Sequence, residues 1–225
     1  MQTIVYIDGY NFYYGLLRNT DYKWLDIVGL VKHICHIQNP DIEVKGVKFF
    51  TAPVITRVAT RGEKAQQAQD AYHKALISSN PDILEIINGY HVLEKGYLPR
   101  YKRPIDKADR VEVWRLEEKQ TDVNIALQLY RDVVKQECEQ VILVSSDSDL
   151  EPPLKYLKQD FPDLVLGLIL PRKQPIEKKY RPPNTSLSRY TDWTRSYIRE
   201  DELKQFQFPD KVPTRKKPAI KPDYW

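Results

Sequence analysis

The chain has 225 residues, 41% of them hydrophobic, which is enough for one sizeable core plus a tail or for two small domains, and too many for a wholly disordered protein. No apolar run is long enough for a membrane span, the N-terminus enters a strand without a basic stretch or cleavage site, and the two cysteines have no CxxC spacing. These features exclude membrane proteins, secreted disulfide scaffolds and zinc ribbons, and they predict a cytoplasmic protein without membrane contacts.

The net charge of +4 is unevenly distributed. Residues 171–225 carry 14 Lys and Arg against 7 Asp and Glu, a net charge of +7, which leaves −3 for residues 1–170. A basic segment beside an acidic body suits a polyanionic partner such as nucleic acid. A solubilising tail explains the same charge equally well.

The first predicted element is an apolar strand over residues 3–7 that ends at the carboxylate of Asp8. Gly9 permits a tight turn after this strand, and Asn11 follows. The spacing of apolar residues then predicts a helix over residues 24–37.

The next elements carry the first candidate contacts to nucleic acid. A strand is predicted over residues 43–53, a surface helix over 61–79 and a further strand over 83–93. Arg57 and Arg61, near the start of the helix, are predicted to contact phosphates. A solvated helix face is the alternative.

Residues 94–110 are predicted to form a loop or hairpin that mixes basic and aromatic side chains. Such side chains can stack on bases and contact phosphates together, although many exposed hairpins are simply charged. The basic candidates are Arg100, Lys102 and Arg103, which lie next to Tyr97 and Tyr101.

Residues 117–134 are predicted to form a helix with an apolar stripe. The stripe consists of Ala126, Leu129 and Val133. Asp122 lies four residues before Ala126, so its side chain is expected to point the same way as the stripe. An inward carboxylate is costly unless a cation or a hydrogen-bond donor meets it. A salt bridge with Lys119 would meet this requirement, and a metal site shared with the strand-end aspartates is the alternative.

Residues 141–144 are predicted to form a buried parallel strand, because four apolar and mostly β-branched residues follow one another. Asp147 and Asp149 come directly after it. In open α/β sheets the carboxyl ends of the strands line the ligand crevice, which places both side chains at its mouth. The alternative is that they merely cap a helix predicted over residues 150–158.

Residues 164–170 form the last predicted strand. Strands that alternate with helices predict a doubly wound, largely parallel sheet. We therefore expect one domain over residues 1–185, followed by a short helical segment and a basic C-terminal extension over 186–225. Short helices are expected within 186–206, and residues 209–225 are expected to be flexible.

Four carboxylates fall on elements whose ends are expected to meet at one edge of the sheet. They are Asp8, Asp122, Asp147 and Asp149. Several of them would have to hold protons if they met without a cation, because like charges raise one another's pKa. Ligands that are all oxygens favour Mg²⁺ or Mn²⁺ over zinc, and such ions support the hydrolysis of phosphodiesters.

Three motifs resemble, in order, the signature blocks of the NYN-domain family, including its LabA-like members, which belongs to the PIN-like metal-dependent ribonucleases. They are Ile7-Asp-Gly-Tyr-Asn11, Lys119-Gln-Thr-Asp-Val123 and Ser145-Ser-Asp-Ser-Asp-Leu150. The resemblance spans residues 1 to about 170 and implies a PIN-like three-layer α/β/α sandwich with a central, mostly parallel sheet. It also implies that the four carboxylates bind the metal, supported by Asn11 and Ser146.

Two residues depart from the pattern of the family. Gln120 stands where the pattern has a glycine before the second aspartate, and Ser146 replaces the glycine before Asp147. A serine constrains the backbone more than a glycine does. All four carboxylates are present, so we expect activity to survive.

The leading hypothesis is an endoribonuclease that depends on Mg²⁺ or Mn²⁺. The aspartates hold one or two ions, an activated water attacks a phosphodiester, and Lys119 orients or neutralises the transition state. The 94–110 loop and the basic tail hold RNA, with structured RNA such as tRNA among the candidates. The oligomeric state, including a homo-oligomer, stays open.

Two alternatives belong to other classes. One is an RNA-binding or partner-recruiting module with an inactive nuclease-like site. The other is a Toprim-like enzyme, because Asp147-Ser-Asp149 after a strand imitates a DxD motif. That fold requires a glutamate after its first strand, where this chain has Asp8.

Overall fold

A computed structural model describes residues 1–175 and 185–225. The strands are β1 (Gln2–Asp8), β2 (Glu43–Thr51), β3 (Leu84–Asn88), β4 (Tyr90–Pro99), β5 (Arg110–Lys119), β6 (Gln140–Val144), β7 (Val165–Ile169), β8 (Trp193–Arg195), β9 (Lys211–Val212) and β10 (Ala219–Ile220). The α-helices are α1 (Gly9–Phe12), α2 (Ile27–Gln38), α3 (Glu63–Ser79), α4 (Thr121–Val134), α5 (Glu151–Asp160), α6 (Thr185–Ser188) and α7 (Glu200–Gln205). A π-helical turn covers Tyr13–Leu17 and a 3₁₀ turn covers Ser148–Leu150. None of the helices in these ranges is long and apolar enough to cross a membrane.

The main sheet has six strands within the described residues, in the order β3-β2-β1-β6-β7-β8, and every neighbouring pair is parallel. The two central strands, β1 and β6, are almost entirely buried. Their sequences are apolar without alternation because helices cover both faces of the sheet. The predicted α/β class with a parallel sheet is confirmed.

Side chains of β1 alternate between the two faces of the sheet. Val5 and Ile7 enter one core, which α2 and α3 cover, whereas Ile4 and Tyr6 enter the other, which α4 and α5 cover. The three layers agree with the predicted α/β/α sandwich.

The strands β4 and β5 form a separate antiparallel hairpin. The sequence predicted one strand over residues 83–93, but the chain breaks at Gly89 between β3 and β4. A Cβ on Gly89 would lie 2.6 Å from the carbonyl oxygen of Lys119, so the chain passes there close to the end of β5. The hairpin leads directly into α4 and thereby sets the position of that helix.

The C-terminal residues pack onto the main core rather than extending freely. β8 adds to the edge of the main sheet beside β7. The ring of Trp225 lies 6.2 Å from that of Trp24 and 5.8 Å from that of Tyr72, and the Trp24 indole N–H donates to the carbonyl of Pro209. The expected flexibility of residues 209–225 is therefore not what the structure shows. The predicted domain division at residue 185 stays a prediction, and residues 176–184 beside it lie outside the described ranges.

A buried ionic network links the sheet to α4. The carboxylate of Asp132 is 2% exposed and accepts hydrogen bonds of 2.6 Å from both the Tyr6 hydroxyl and the Lys48 ammonium. Replacement by alanine leaves a buried hydroxyl and a nearly buried cation without this partner. We expect Asp132→Ala to lower the free energy of unfolding by about 3 kcal/mol, measured by urea denaturation. The exposed Asp163→Ala should change it by less than about 0.5 kcal/mol, and equal stabilities would show that the network contributes nothing.

Candidate metal centre

Three of the predicted carboxylates lie together at the carboxyl edge of the sheet. Asp8 ends β1, Asp147 follows β6 and Asp122 lies in the first turn of α4. The register pairs Ile7 with Val144, so the two strands end at the same level. One carboxylate oxygen from each of the three aspartates lies within 4.8 Å of the other two.

Asp8 is the most deeply held of the three, with 4% of its surface exposed. It caps α1 by accepting the Asn11 backbone N–H at 2.9 Å, and its second oxygen accepts the Ser145 hydroxyl at 2.9 Å. Gly9 is required beside it, because a Cβ there would lie 2.6 Å from the carbonyl oxygen of Phe50. The carboxylate is thus fixed in orientation from both sides.

The predicted supporting residues Asn11 and Ser146 contact one another. The Asn11 side-chain oxygen accepts the Ser146 backbone N–H at 3.0 Å and its hydroxyl at 2.9 Å. This pair ties the turn after β1 to the turn after β6.

Ser145 was not predicted as a site residue, although its hydroxyl donates to Asp8 and also accepts the Asp147 backbone N–H at 3.0 Å. Its position in the sequence could have indicated this role, because Ser145 is the first residue after β6 and lies level with the end of β1.

Asp149 lies outside the group of three. Its backbone N–H donates to the Asp147 carboxylate at 3.0 Å, and its own charge contributes to raising the pKa of Asp122. Asp149 thus stands at the rim of the cluster, and its direct role in metal binding stays a prediction.

Glu118 is a further acidic residue of the site, and it was not predicted. It lines, with the three aspartates, a cleft of ≈ 160 Å³ and accepts a hydrogen bond from the Thr121 hydroxyl. The helix predicted over residues 117–134 was wrong at its start, because residues 117–119 belong to β5. Glu118 is the penultimate residue of β5 and precedes Asp122 by four positions. Its charge adds to the negative potential of the cleft.

The pKa values of two of the aspartates are raised in this acidic, partly buried cleft. Burial, opposed by the hydrogen bonds from Asn11 and Ser145 and reinforced by the charges of Asp122 and Glu118, raises the pKa of Asp8 to about 6. Burial and then the charge of Asp147 raise the pKa of Asp122. Both shifts mean that the surroundings of these carboxylates favour the protonated form, through burial first and neighbouring negative charge second.

Lys119 was considered as a salt-bridge partner of Asp122, but its ammonium group pairs with Glu117. The salt-bridge alternative is therefore not seen among the described residues. The donor set consists of carboxylate oxygens without histidine or cysteine, which fits a hard divalent cation.

The predicted RNA contacts separate into two places. The guanidinium of Arg57 lies over the Trp114 ring and that of Arg61 over the Tyr224 ring, at 5.6 and 4.0 Å from the centroids. Arg100, Lys102 and Arg103 lie instead in the loop between β4 and β5, where the first two contact Asp109. Contact of any of the five with RNA stays a prediction.

The family model of the NYN domain matches residues 2–168. The chain belongs to the NYN-domain family. The resemblance of the three motifs is thereby confirmed, and the NYN domain covers the whole aspartate cluster.

Two individual proteins are similar to this NYN-domain chain. The protein named 6-hydroxy-3-succinoylpyridine 3-monooxygenase HspA, from Pseudomonas putida (strain DSM 28022 / S16), is 37% identical over 243 residues, which cover 100% of this chain and 75% of that protein. The crystal structure of a protein of unknown function from Vibrio parahaemolyticus RIMD 2210633 is 15% identical, with a TM-score of 0.45 over 89% of this chain and 94% of that one.

If the NYN-domain cluster holds a divalent ion, the aspartates should bind Mn²⁺ in the absence of any substrate. We expect isothermal titration calorimetry to detect Mn²⁺ binding to the wild type. Asp122→Asn should weaken it by about 10-fold or more, because an amide replaces a charged ligand. Equal binding by both proteins would place the ion elsewhere.

The raised pKa of Asp8 makes the metal-free protein sensitive to pH. The folded state holds this proton more tightly than the unfolded state, so the associated stability is present below the unfolded value of 3.8 and is lost as pH rises through about 6. Relative to the wild type, Asp8→Asn should gain about 2.5 kcal/mol of unfolding free energy between about pH 4 and pH 7. Urea titrations in EDTA test this, and a difference independent of pH would contradict it.

Proposed function

We propose that this NYN-domain protein is a metal-dependent endoribonuclease that hydrolyses phosphodiester bonds of RNA at the aspartate cluster. The main support is the geometry of Asp8, Asp122 and Asp147, which each place one carboxylate oxygen within 4.8 Å of the other two. All three residues lie within the range that the NYN-domain model matches. Capping of α1 by Asp8 and of the Ser148–Leu150 turn by Asp147 explains each of these two carboxylates singly, but not the meeting of all three.

The residues of the cluster have distinct tasks in this proposal. Asp8, Asp122 and Asp147 would hold Mg²⁺ or Mn²⁺, which, when bound, supplies an activated water and offsets charge that develops on the phosphate. Ser145 and Asn11 keep the Asp8 carboxylate aimed into the cleft. Cation binding favours the ionised form of Asp8 and so removes the proton that burial favours.

The rim residues act on the entering water and phosphate. Glu118 and Asp149 are carboxylates that can accept a proton from water in the cleft. Lys119, predicted to neutralise the transition state, would first have to leave Glu117. RNA as the partner, a cytoplasmic location and the oligomeric state stay predictions.

The substitution Asp147→Asn tests the proposal. The amide oxygen can still accept the backbone N–H of Asp149, so the fold should be kept, whereas a charged ligand is lost. We expect cleavage of total RNA in Mn²⁺ to fall by at least about 100-fold, measured by gel analysis and mapping of the RNA ends.

The matched control is Asp82→Asn, an exposed aspartate just before β3 at the opposite edge of the sheet. It should cleave like the wild type, and EDTA should stop both. Cleavage by Asp147→Asn at the wild-type rate would overturn the assignment. RNA binding that persists in EDTA, with no products from any RNA, would favour the inactive binding module.

The relative from Pseudomonas putida supports a second candidate, since it is 37% identical along the whole of this chain and is named a monooxygenase. We propose as this alternative that the chain hydroxylates a hydroxypyridine with molecular oxygen and an external electron donor. Incubation with 6-hydroxy-3-succinoylpyridine, NADH and oxygen discriminates the two. Oxygen uptake in step with substrate loss would favour the second candidate, and uptake equal to the blank without protein is the outcome expected for the nuclease.

A further inference from the structure

A groove adjoins the aspartate cleft and has a different chemistry. Its volume is ≈ 640 Å³, and Tyr10 lines both the groove and the cleft. Tyr13 and Tyr14 continue the wall, with ring centroids 4.4 Å apart for Tyr10 and Tyr14 and 5.2 Å apart for Tyr13 and Tyr14. These three side chains are 44%, 36% and 46% exposed, a grouping of accessible rings that marks an interaction site.

The line of rings continues from the groove onto the hairpin. His91 on β4 lies 6.3 Å from the Tyr10 ring, and Leu116 on β5 lines the groove beside it. Trp114 lies two residues from Leu116 on the same face of β5, and it is 70% exposed. We call this set of rings the aromatic track; it consists of Tyr10, Tyr13, Tyr14, His91 and Trp114.

Arginines flank the aromatic track. The guanidinium of Arg18 lies 5.1 Å from the centroid of Tyr14, and Arg57 lies 5.6 Å from that of Trp114. Neither of these arginines forms an ion pair with a carboxylate of residues 1–175 or 185–225. Their charges are therefore available to an anionic ligand, unlike those of Arg100 and Lys102 at the hairpin tip.

We propose that the aromatic track binds the unpaired nucleotides of an RNA strand next to the bond that is cut. Bases stack on the rings, and phosphates meet the flanking arginines. The inference rests on the proposed function only in taking RNA as the polymer, and it adds that the substrate must be single-stranded on this side of the cleft.

Two features favour a single strand over other ligands. Bases in a duplex are stacked on one another and cannot lie on side-chain rings, so an exposed aromatic wall suits unpaired nucleotides. The track also extends beyond the groove to Trp114, which lies about 7 Å further along β5 than Leu116. A small molecule confined to the groove would not contact Trp114. An extended polymer uses the whole length.

Binding without cleavage tests the inference. Fluorescence anisotropy in EDTA, with labelled RNA of about eight nucleotides, measures affinity when no product forms. We expect Trp114→Ala and Tyr14→Ala each to weaken binding by about 5- to 100-fold, because each removes one stack. Trp114→Phe should keep most of the affinity. Tyr156→Ala should leave it unchanged, because Tyr156 is a similarly exposed tyrosine on α5, outside the aromatic track.

Several outcomes would overturn the inference. They are wild-type protein that binds no RNA, binding unaffected by either alanine, duplex RNA bound as tightly as the single strand, and a mononucleotide bound as tightly as the longer strand. The last would assign the groove to a small molecule. If RNA binding depends on the rings but the protein never cleaves RNA, the nuclease proposal is refuted and the aromatic track is supported. If the protein cleaves RNA and neither binding nor cleavage depends on the rings, the nuclease proposal is supported and the aromatic track is refuted.

Discussion

The main constraint on this structure is a concentration of negative charge at the carboxyl edge of its sheet. Two central parallel strands end at the same level, which brings Asp8 and Asp147 together, and α4 adds Asp122. Like charges at this separation oppose folding unless protons or a cation compensate them. Burial and the neighbouring carboxylates raise the pKa of Asp8 and that of Asp122, so both groups hold a proton up to a higher pH than an exposed aspartate does.

Much of this edge could be predicted from the sequence, because apolar runs that stop at an aspartate are a local signal. β1 and β6 were predicted with their terminal carboxylates. Asp122 was also predicted to lie near them, but its expected inward orientation was wrong. Asp122 is exposed, and the buried stripe of α4 begins at Ile125 instead of Ala126. Contacts set by tertiary packing were not visible. Ser145 and Glu118 matter only through the register of β6 on β1 and through the hairpin, and the anchoring of Trp225 on Trp24 depends on residues about 200 positions apart along the chain.

The two departures from the family pattern have different structural consequences. Gln120 adopts a φ of 72° just before α4, a left-handed conformation that a glycine would adopt without strain. The chain therefore tolerates local strain where Asp122 is set in place, as occurs at functional sites. Ser146 shows no such φ, and its hydroxyl gains a bond to Asn11, so the serine strengthens the turn that it was expected to constrain.

Tyr10 lines both the cleft and the groove, and in the two proposals the cleft binds through charge and the aromatic track through base stacking. The proposed nuclease activity requires that one cation sit among the three aspartates. Anomalous X-ray diffraction from crystals soaked in Mn²⁺ tests this most directly. We expect a manganese peak about 2 Å from carboxylate oxygens of Asp8, Asp122 and Asp147. A cluster without a peak, or manganese bound only elsewhere, would contradict it.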